Sequence, residues 1–165
     1  MTTATQMYLV RHAKAGSRSD WSGPDDERPL TKTGRRQADA LRDLLADRGV
    51  TQLVSSPYVR CRQTVEPLGQ LLRLPVDLAD ELGEGTPLPE ARRLIEKFTS
   101  EPTVLCTHGD VIGELLESLA RQGLIGRDIR MEKGSTWVLD YQGDEITGAT
   151  YLAPPESAVK ARARR

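Results

Sequence analysis

The chain contains two histidines, His12 and His108, and each stands at the end of a short apolar run. Met7-Tyr8-Leu9-Val10 leads into Arg11-His12, and Thr103-Val104-Leu105-Cys106-Thr107 leads into His108-Gly109. A third run, Gln52-Leu53-Val54-Ser55, leads into Ser56-Pro57 and then Arg60. Either histidine alone would read as an ordinary loop or capping residue. Beside Arg11 and Arg60, the pair points to anion handling, with one imidazole as nucleophile and the other as a stabiliser of charge. A guanidinium offers phosphate oxygens a rigid fork of donors that a lysine cannot copy, and Arg60 lies near a predicted helix start, where the backbone also favours an anion. Zinc is the rival reading. It usually takes three or four ligands, no third His or Cys is placed to help, and the two arginines would repel a metal. No metal and no cofactor are expected.

For these groups to meet, their strands must lie side by side. Short apolar runs with β-branched residues, separated by helical patterns, predict a mostly parallel sheet. In such sheets the junctions after the strands share one edge, where ligands bind. The first predicted helix starts near Pro29-Leu30-Thr31-Lys32-Thr33-Gly34, capped by Thr31 or Thr33, with Ala38, Leu41, Leu44 and Leu45 on its apolar face. The second starts at Ser56-Pro57, carries Cys61, Val65, Leu68 and Leu72, and should kink or break at Pro67. A third covers 90–98 and a fourth 111–121. Strands over 136–141 and 145–152, joined by Gln142-Gly143-Asp144, supply an antiparallel element. The predicted fold is an α/β three-layer sandwich, its central sheet mostly parallel with an antiparallel edge.

Composition narrows the partners. The length, 165 residues, suits one domain, expected over 1–157, followed by a basic tail, 158–165. Charged residues make up 28% but cancel to a net charge of -1, so no global field favours nucleic acid or membrane. Cys61 and Cys106 form no disulfide framework, and no apolar stretch is long enough to cross a bilayer. The expected setting is cytoplasmic. Leu115, Leu116 and Leu119 serve either the core or a dimer face, and the oligomeric state stays open. Trp21 and Trp137 either stack on a substrate base or fill core.

Four segments in order resemble the histidine phosphatase superfamily, which is phosphoglycerate-mutase-like in fold. They are Leu9-Val10-Arg11-His12-Ala13, Pro29-Leu30-Thr31 with Gly34, Gln37 and Ala38, Ser55-Ser56-Pro57 with Arg60, Gln63 and Thr64, and Thr107-His108-Gly109. The small size and the Arg-His-Ala start resemble the short phosphohistidine phosphatase branch. The stretches Val59-Arg60-Cys61 with Gln63-Thr64 and Glu66-Pro67-Leu68, and Lys133-Gly134-Ser135-Thr136-Trp137, are closer still to the phosphatase-like domain fused behind some bacterial Nudix hydrolases.

That resemblance implies a metal-independent phosphatase with a phosphohistidine intermediate. His12 would be the nucleophile, and Arg11, Arg60 and His108 would hold the phosphoryl oxygens together with backbone N–H groups near Gly109. It implies a small phosphorylated substrate or a phosphohistidine protein as partner. A mutase is disfavoured, because the long insertions that enclose a bisphosphate are missing. Leu82-Gly83-Glu84 has the spacing of a family general acid, making Glu84 the first candidate and Glu81 the second, with no dedicated acid as the third option. Two departures stand out. Ala13 replaces a glycine, and the usual Asn is absent, with Ser17 or Ser19 as possible substitutes. Lys14 is placed to meet a second phosphate or an acidic substrate, and Lys133-Gly134-Ser135 either closes the pocket or forms a plain turn. The alternative function is a catalytically silent phosphate-binding module of the same fold.

Overall fold

Strands whose successive side chains are all apolar need both faces of their sheet covered. The computed structural model describes residues 4–155 and meets that need with one six-stranded sheet. Its strands are β1 (Ala4–Arg11), β2 (Gln52–Ser55), β3 (Val76–Leu78), β4 (Thr103–Thr107), β5 (Thr136–Gln142) and β6 (Glu145–Leu152), and its helices are α1 (Lys32–Leu45), α2 (Val59–Leu72), α3 (Leu88–Ile95) and α4 (Gly109–Arg121). The spatial order is β3-β2-β4-β1-β5-β6. The first four in that order are parallel, and β5 and β6 add an antiparallel edge.

The alternation of side chains divides the core into two layers. Tyr8, Val10, Leu53, Val104 and Cys106 pack under α1 and α2, against Leu41, Leu45, Cys61, Val65 and Leu68. Met7, Leu9, Val54 and Leu105 face the other way, toward Leu94 and Ile95 of α3 and Ile112, Leu115, Leu116 and Leu119 of α4. The α4 leucines are therefore core. Trp137 is buried as well, its indole N–H donating to the Arg130 carbonyl, whereas Trp21 is exposed. Among the described residues no helix is long and apolar enough to cross a membrane. The basic tail lies outside the described residues.

The register matters most for function. Arg11 pairs with Thr107 across β1 and β4, and Ser55 pairs with Cys106 across β2 and β4. Three neighbouring strands thus end at one level, and the residues that follow them emerge together.

Local structure departs from the sequence-based expectation in several places. α2 begins at Val59 with Tyr58 as its cap, not at Ser56-Pro57. The reason is that Ser56 still belongs to the sheet edge: its N–H donates to Cys106 and its hydroxyl meets His108. α2 also runs through Pro67 without breaking. Proline removes one N–H donor, but fully buried Val65 and Leu68 hold that turn against the sheet. α4 starts two residues early, at Gly109, with His108 as its backbone cap. α3 occupies Leu88–Ile95 and tightens into a 3₁₀ turn over Glu96–Phe98.

Thr31 caps α1, accepting from the Gly34 N–H at 3.0 Å, and its own N–H donates to the Lys14 carbonyl at 3.0 Å. The first turn of α1 therefore rests on the backbone just past His12. A Cβ on Gly34 would collide with the Lys14 carbonyl. Gly34→Ala is expected to cost about 1–3 kcal/mol of stability, read from the denaturant midpoint, because main chain rather than a flexible side chain must yield.

Candidate active site

The three aligned strand ends open onto a cavity of about 300 Å³. Arg11, His12, Arg60, His108, Gly109 and Glu84 line it, joined by Arg18, Arg28, Asp110, Met131 and Lys133. A larger cleft, about 520 Å³, lies at the other end of the strands, but Arg48 is the sole cation along its wall and no histidine reaches it. Chemistry, not size, selects the smaller one.

His12 is buried, and its Nδ1 lies 2.8 Å from its neighbour's carbonyl, that of Ala13. A carbonyl can only accept, so Nδ1 carries the proton and Nε2 keeps the lone pair. Burial is the main force pushing the His12 pKa down to about 3; His108, Arg60 and Arg11 add to it, while the Ala13 carbonyl works against it. An imidazole that would ordinarily titrate near 6.5 is thus neutral across the physiological range. The Ala13 N–H donates to Thr64 Oγ1, whose hydroxyl donates to the Arg60 carbonyl, and this chain ties the His12 loop to α2.

Arg11 anchors one nitrogen on the Met131 carbonyl at 2.7 Å, and its buried Nε has no partner among the described residues. Burial lowers its pKa, opposed by the Asp110 carboxylate. Its guanidinium passes so close to the start of α4 that a Cβ on Gly109 would sit 2.9 Å from Cζ. Arg60 is 1% exposed. It donates to the Asp25 carbonyl at 2.8 Å, to Asp25 Oδ2 at 3.1 Å and to Glu84 Oε2 at 3.3 Å, and it lies over the Tyr58 ring at 4.8 Å. The rings of His12 and His108 meet edge to face, 5.5 Å between centroids.

Such a site combines a neutral ring nitrogen with fixed guanidinium donors. The family model of the histidine phosphatase superfamily (branch 1) matches residues 7–86. The 8-oxo-(d)GTP phosphatase of Mycolicibacterium smegmatis is 38% identical over 163 residues, covering 91% of this chain and 48% of that protein. Over that first half, residues 7–86, the chain is similar to the histidine phosphatase superfamily. It spans about half the length of that curated relative. Among solved structures, the SixA-type protein of Nakamurella multipartitia, assigned as a phosphohistidine phosphatase, superposes with a TM-score of 0.73 at 26% identity, covering 92% of this chain and 97% of that one. Its counterpart from Agrobacterium tumefaciens gives 0.72 at 26% identity, with 90% and 98% covered.

Within this histidine phosphatase fold, two residues expected at the site stand apart from the cavity wall. Lys14 is exposed and outside the lining, and its N–H donates to Gln37 Oε1. Ser17 is also exposed, its hydroxyl paired with Ser19 at 2.8 Å. Glu84 does line the cavity, bound to Arg18 at 3.1 Å and to Arg60. The turn at Lys133-Gly134 does more than change direction. The Gly134 N–H is shared between the carbonyls of Arg11 and His12, which holds Lys133 at the cavity wall. Burial lowers the Lys133 pKa, and the surrounding Arg11, Arg28, Lys14 and Arg60 lower it further.

Sequence reasoning missed Arg18, Asp25 and Arg28, all in the polar loop between β1 and α1. Asp25 bridges three arginines, Arg18 at 3.4 Å, Arg28 at 3.0 Å and Arg60 at 3.1 Å. Burial opposes charge on Asp25, but those three guanidiniums outweigh it and hold the carboxyl below its ordinary value. Nothing in Asp25-Asp26-Glu27-Arg28 distinguishes it from a solvated charge run, so no signal in the sequence marked it.

Gly109 supplies a clean test of the Arg11 geometry. In Gly109→Ala the new methyl pushes the guanidinium aside while alanine suits the first turn of α4 at least as well as glycine. Tungstate affinity, measured by titration calorimetry, is expected to fall about 10- to 100-fold, the worth of one charged hydrogen bond, with no loss of thermal stability.

Proposed function

We propose that the protein is a metal-independent phosphatase that transfers a phosphoryl group to His12 and then to water. The supporting observation is the His12 ring itself: Nδ1 is committed to the Ala13 carbonyl, and the ring lines a cavity walled by Arg11, Arg60 and His108. In the first step the Nε2 lone pair of His12 forms a bond to phosphorus, and the bond from phosphorus to the leaving oxygen or nitrogen breaks, its electron pair staying with the leaving atom. In the second step water attacks the phosphohistidine, releases inorganic phosphate and restores the lone pair on Nε2. Arg11, Arg60, His108 and the Gly109 N–H stabilise the oxygens as charge shifts, which is most of what phosphoryl transfer requires.

Glu84 is the proton donor to the leaving group in this reading. Its carboxyl group shares Arg60 with Asp25. A phosphoryl group that takes the Arg60 fork displaces it, and the freed carboxylate must then take up a proton from solvent before passing it to the departing atom. Glu81, the other candidate, is not part of the cavity wall.

The substrate is a phosphomonoester, a phosphohistidine or a nucleotide-type phosphate. The last two classes are supported by the relatives whose names mention phosphohistidine and 8-oxo-(d)GTP. The free thiols Cys61 and Cys106 fit a reducing cytoplasmic setting.

The test is a brief reaction with a generic phosphomonoester, an alkaline quench and intact-mass measurement. An acid-labile phosphoryl adduct is expected on the wild type and not on His12→Ala, whose turnover should fall to background. Phosphate binding without adduct or turnover would instead identify a silent module. The pH dependence adds a second check. Only the neutral ring attacks, so activity carried by His12 is lost as pH falls through its pKa of about 3, not near 6.5. The rate of adduct formation, corrected for substrate ionisation, should therefore show no His12 limb between neutrality and mildly acidic pH.

A further inference from the structure

His108 is held through one of its two ring nitrogens. Nε2 lies 2.9 Å from Ser56 Oγ and 3.6 Å from Cys61 Sγ, and both partners are fully buried. A serine hydroxyl has one proton to give and two lone pairs to offer. The Tyr58 N–H, 3.3 Å away, already donates to the Ser56 oxygen. Among the described residues, His108 Nε2 is the one nitrogen or oxygen acceptor within reach of the Ser56 hydroxyl. A buried hydroxyl that keeps its proton from an available acceptor forfeits a hydrogen bond it cannot recover from water. Donation from Ser56 to Nε2 gives the hydroxyl proton the stronger acceptor. Donation in the other direction leaves the serine proton only the Cys61 sulfur, a weak acceptor.

A neutral imidazole that accepts at Nε2 carries its proton on Nδ1. His108 Nδ1 is buried and has no partner among the described residues. The ring is also steadied by the edge-on contact of Tyr58, 4.5 Å between centroids at 71°.

We propose that Ser56 is a positioning residue that fixes His108 as the Nδ1–H tautomer, so that Nδ1 is the donor offered to a phosphoryl oxygen. The opposite tautomer would face that oxygen with a lone pair, and the same ring would repel what it should hold. The use of Nδ1–H rests on the phosphatase reading; the tautomer does not. The consequence is that His12 and His108 carry their protons on the same nitrogen for different reasons. A carbonyl that can only accept dictates it in His12, and a hydroxyl that must donate dictates it in His108.

The experiment uses the full chain with isotope-labelled histidine, whose two rings give a readily assigned correlation spectrum between ring nitrogens and carbon-bound protons. At mildly alkaline pH both rings are expected to show a protonated Nδ1 and an unprotonated Nε2. Tungstate should shift the His108 Nδ1 signal. A proton on His108 Nε2 overturns the proposal, whether the ring is the other neutral tautomer or half of an imidazolium–thiolate pair with Cys61.

Ser56→Ala should lose the tautomer preference of His108 and lower kcat about 10- to 100-fold, less than or comparable to removing a direct oxyanion donor. Ser56→Thr, which keeps the hydroxyl, should restore both. An unchanged His108 tautomer in Ser56→Ala overturns the role of Ser56, and if that variant fails to fold, the wild-type spectrum and Ser56→Thr still decide. An adduct on His12 together with a proton on His108 Nε2 sinks this inference alone. The expected tautomer without any adduct sinks the phosphatase reading alone.

Discussion

Charge confined at the edge of a dry sheet is the constraint behind this molecule. Arg60 is almost wholly buried, as are the Nε of Arg11 and Nδ1 of His108, and a buried donor or cation is costly unless something answers it. Asp25 and Glu84 answer part of the charge on Arg60, and the Tyr58 face answers another part. Three buried nitrogens, Arg11 Nε, Arg60 Nε and His108 Nδ1, remain without a partner among the described residues, and their side chains line one cavity. A fold gains nothing for its own stability from that arrangement. An oxyanion with several lone pairs would satisfy it.

The sheet register makes the concentration of charge possible. Because Arg11 sits opposite Thr107 and Ser55 opposite Cys106, residues separated by about half the chain emerge at one level. A one-residue slip of β1 against β4 would exchange its two faces, taking Tyr8 and Val10 from beneath α1 and α2. Both apolar layers therefore guard the register on which the site depends. The leucines of α1 and α4 pack on the two faces of the sheet whose strand ends carry Arg11 and lead into His108.

Much of this could be read from residue order. Apolar runs ending in Arg-His and Thr-His, a Thr three residues before Gly, and a hairpin with Gly at its turn each have a local physical cause, and each formed as expected. What could not be read are features with distant causes. α2 starts late because Ser56 is drawn to the β4 backbone and to His108, and it survives Pro67 because the sheet packs that turn. Asp25 bridges three arginines only because a loop crosses from β1 to the mouth of α2. Local chemistry is legible along the chain; partners chosen across it are not.

The loop carboxylates also differ in kind from the scaffold they touch. His12 and His108 are held beside the strand ends by the Ala13 carbonyl and the buried Ser56 hydroxyl, and Arg11 by the Met131 carbonyl. Asp25 and Glu84 sit on connecting segments, with their side chains about one-third exposed, and Glu84 is flanked by Gly83 and by Gly85 at φ +85°. In the proposed reaction, Arg11, His12 and His108 would fix where phosphorus sits, and the two loop carboxylates keep Arg60 answered until a phosphoryl group takes their place. That division lets a buried cation be tolerated in the free protein and still be available to bind.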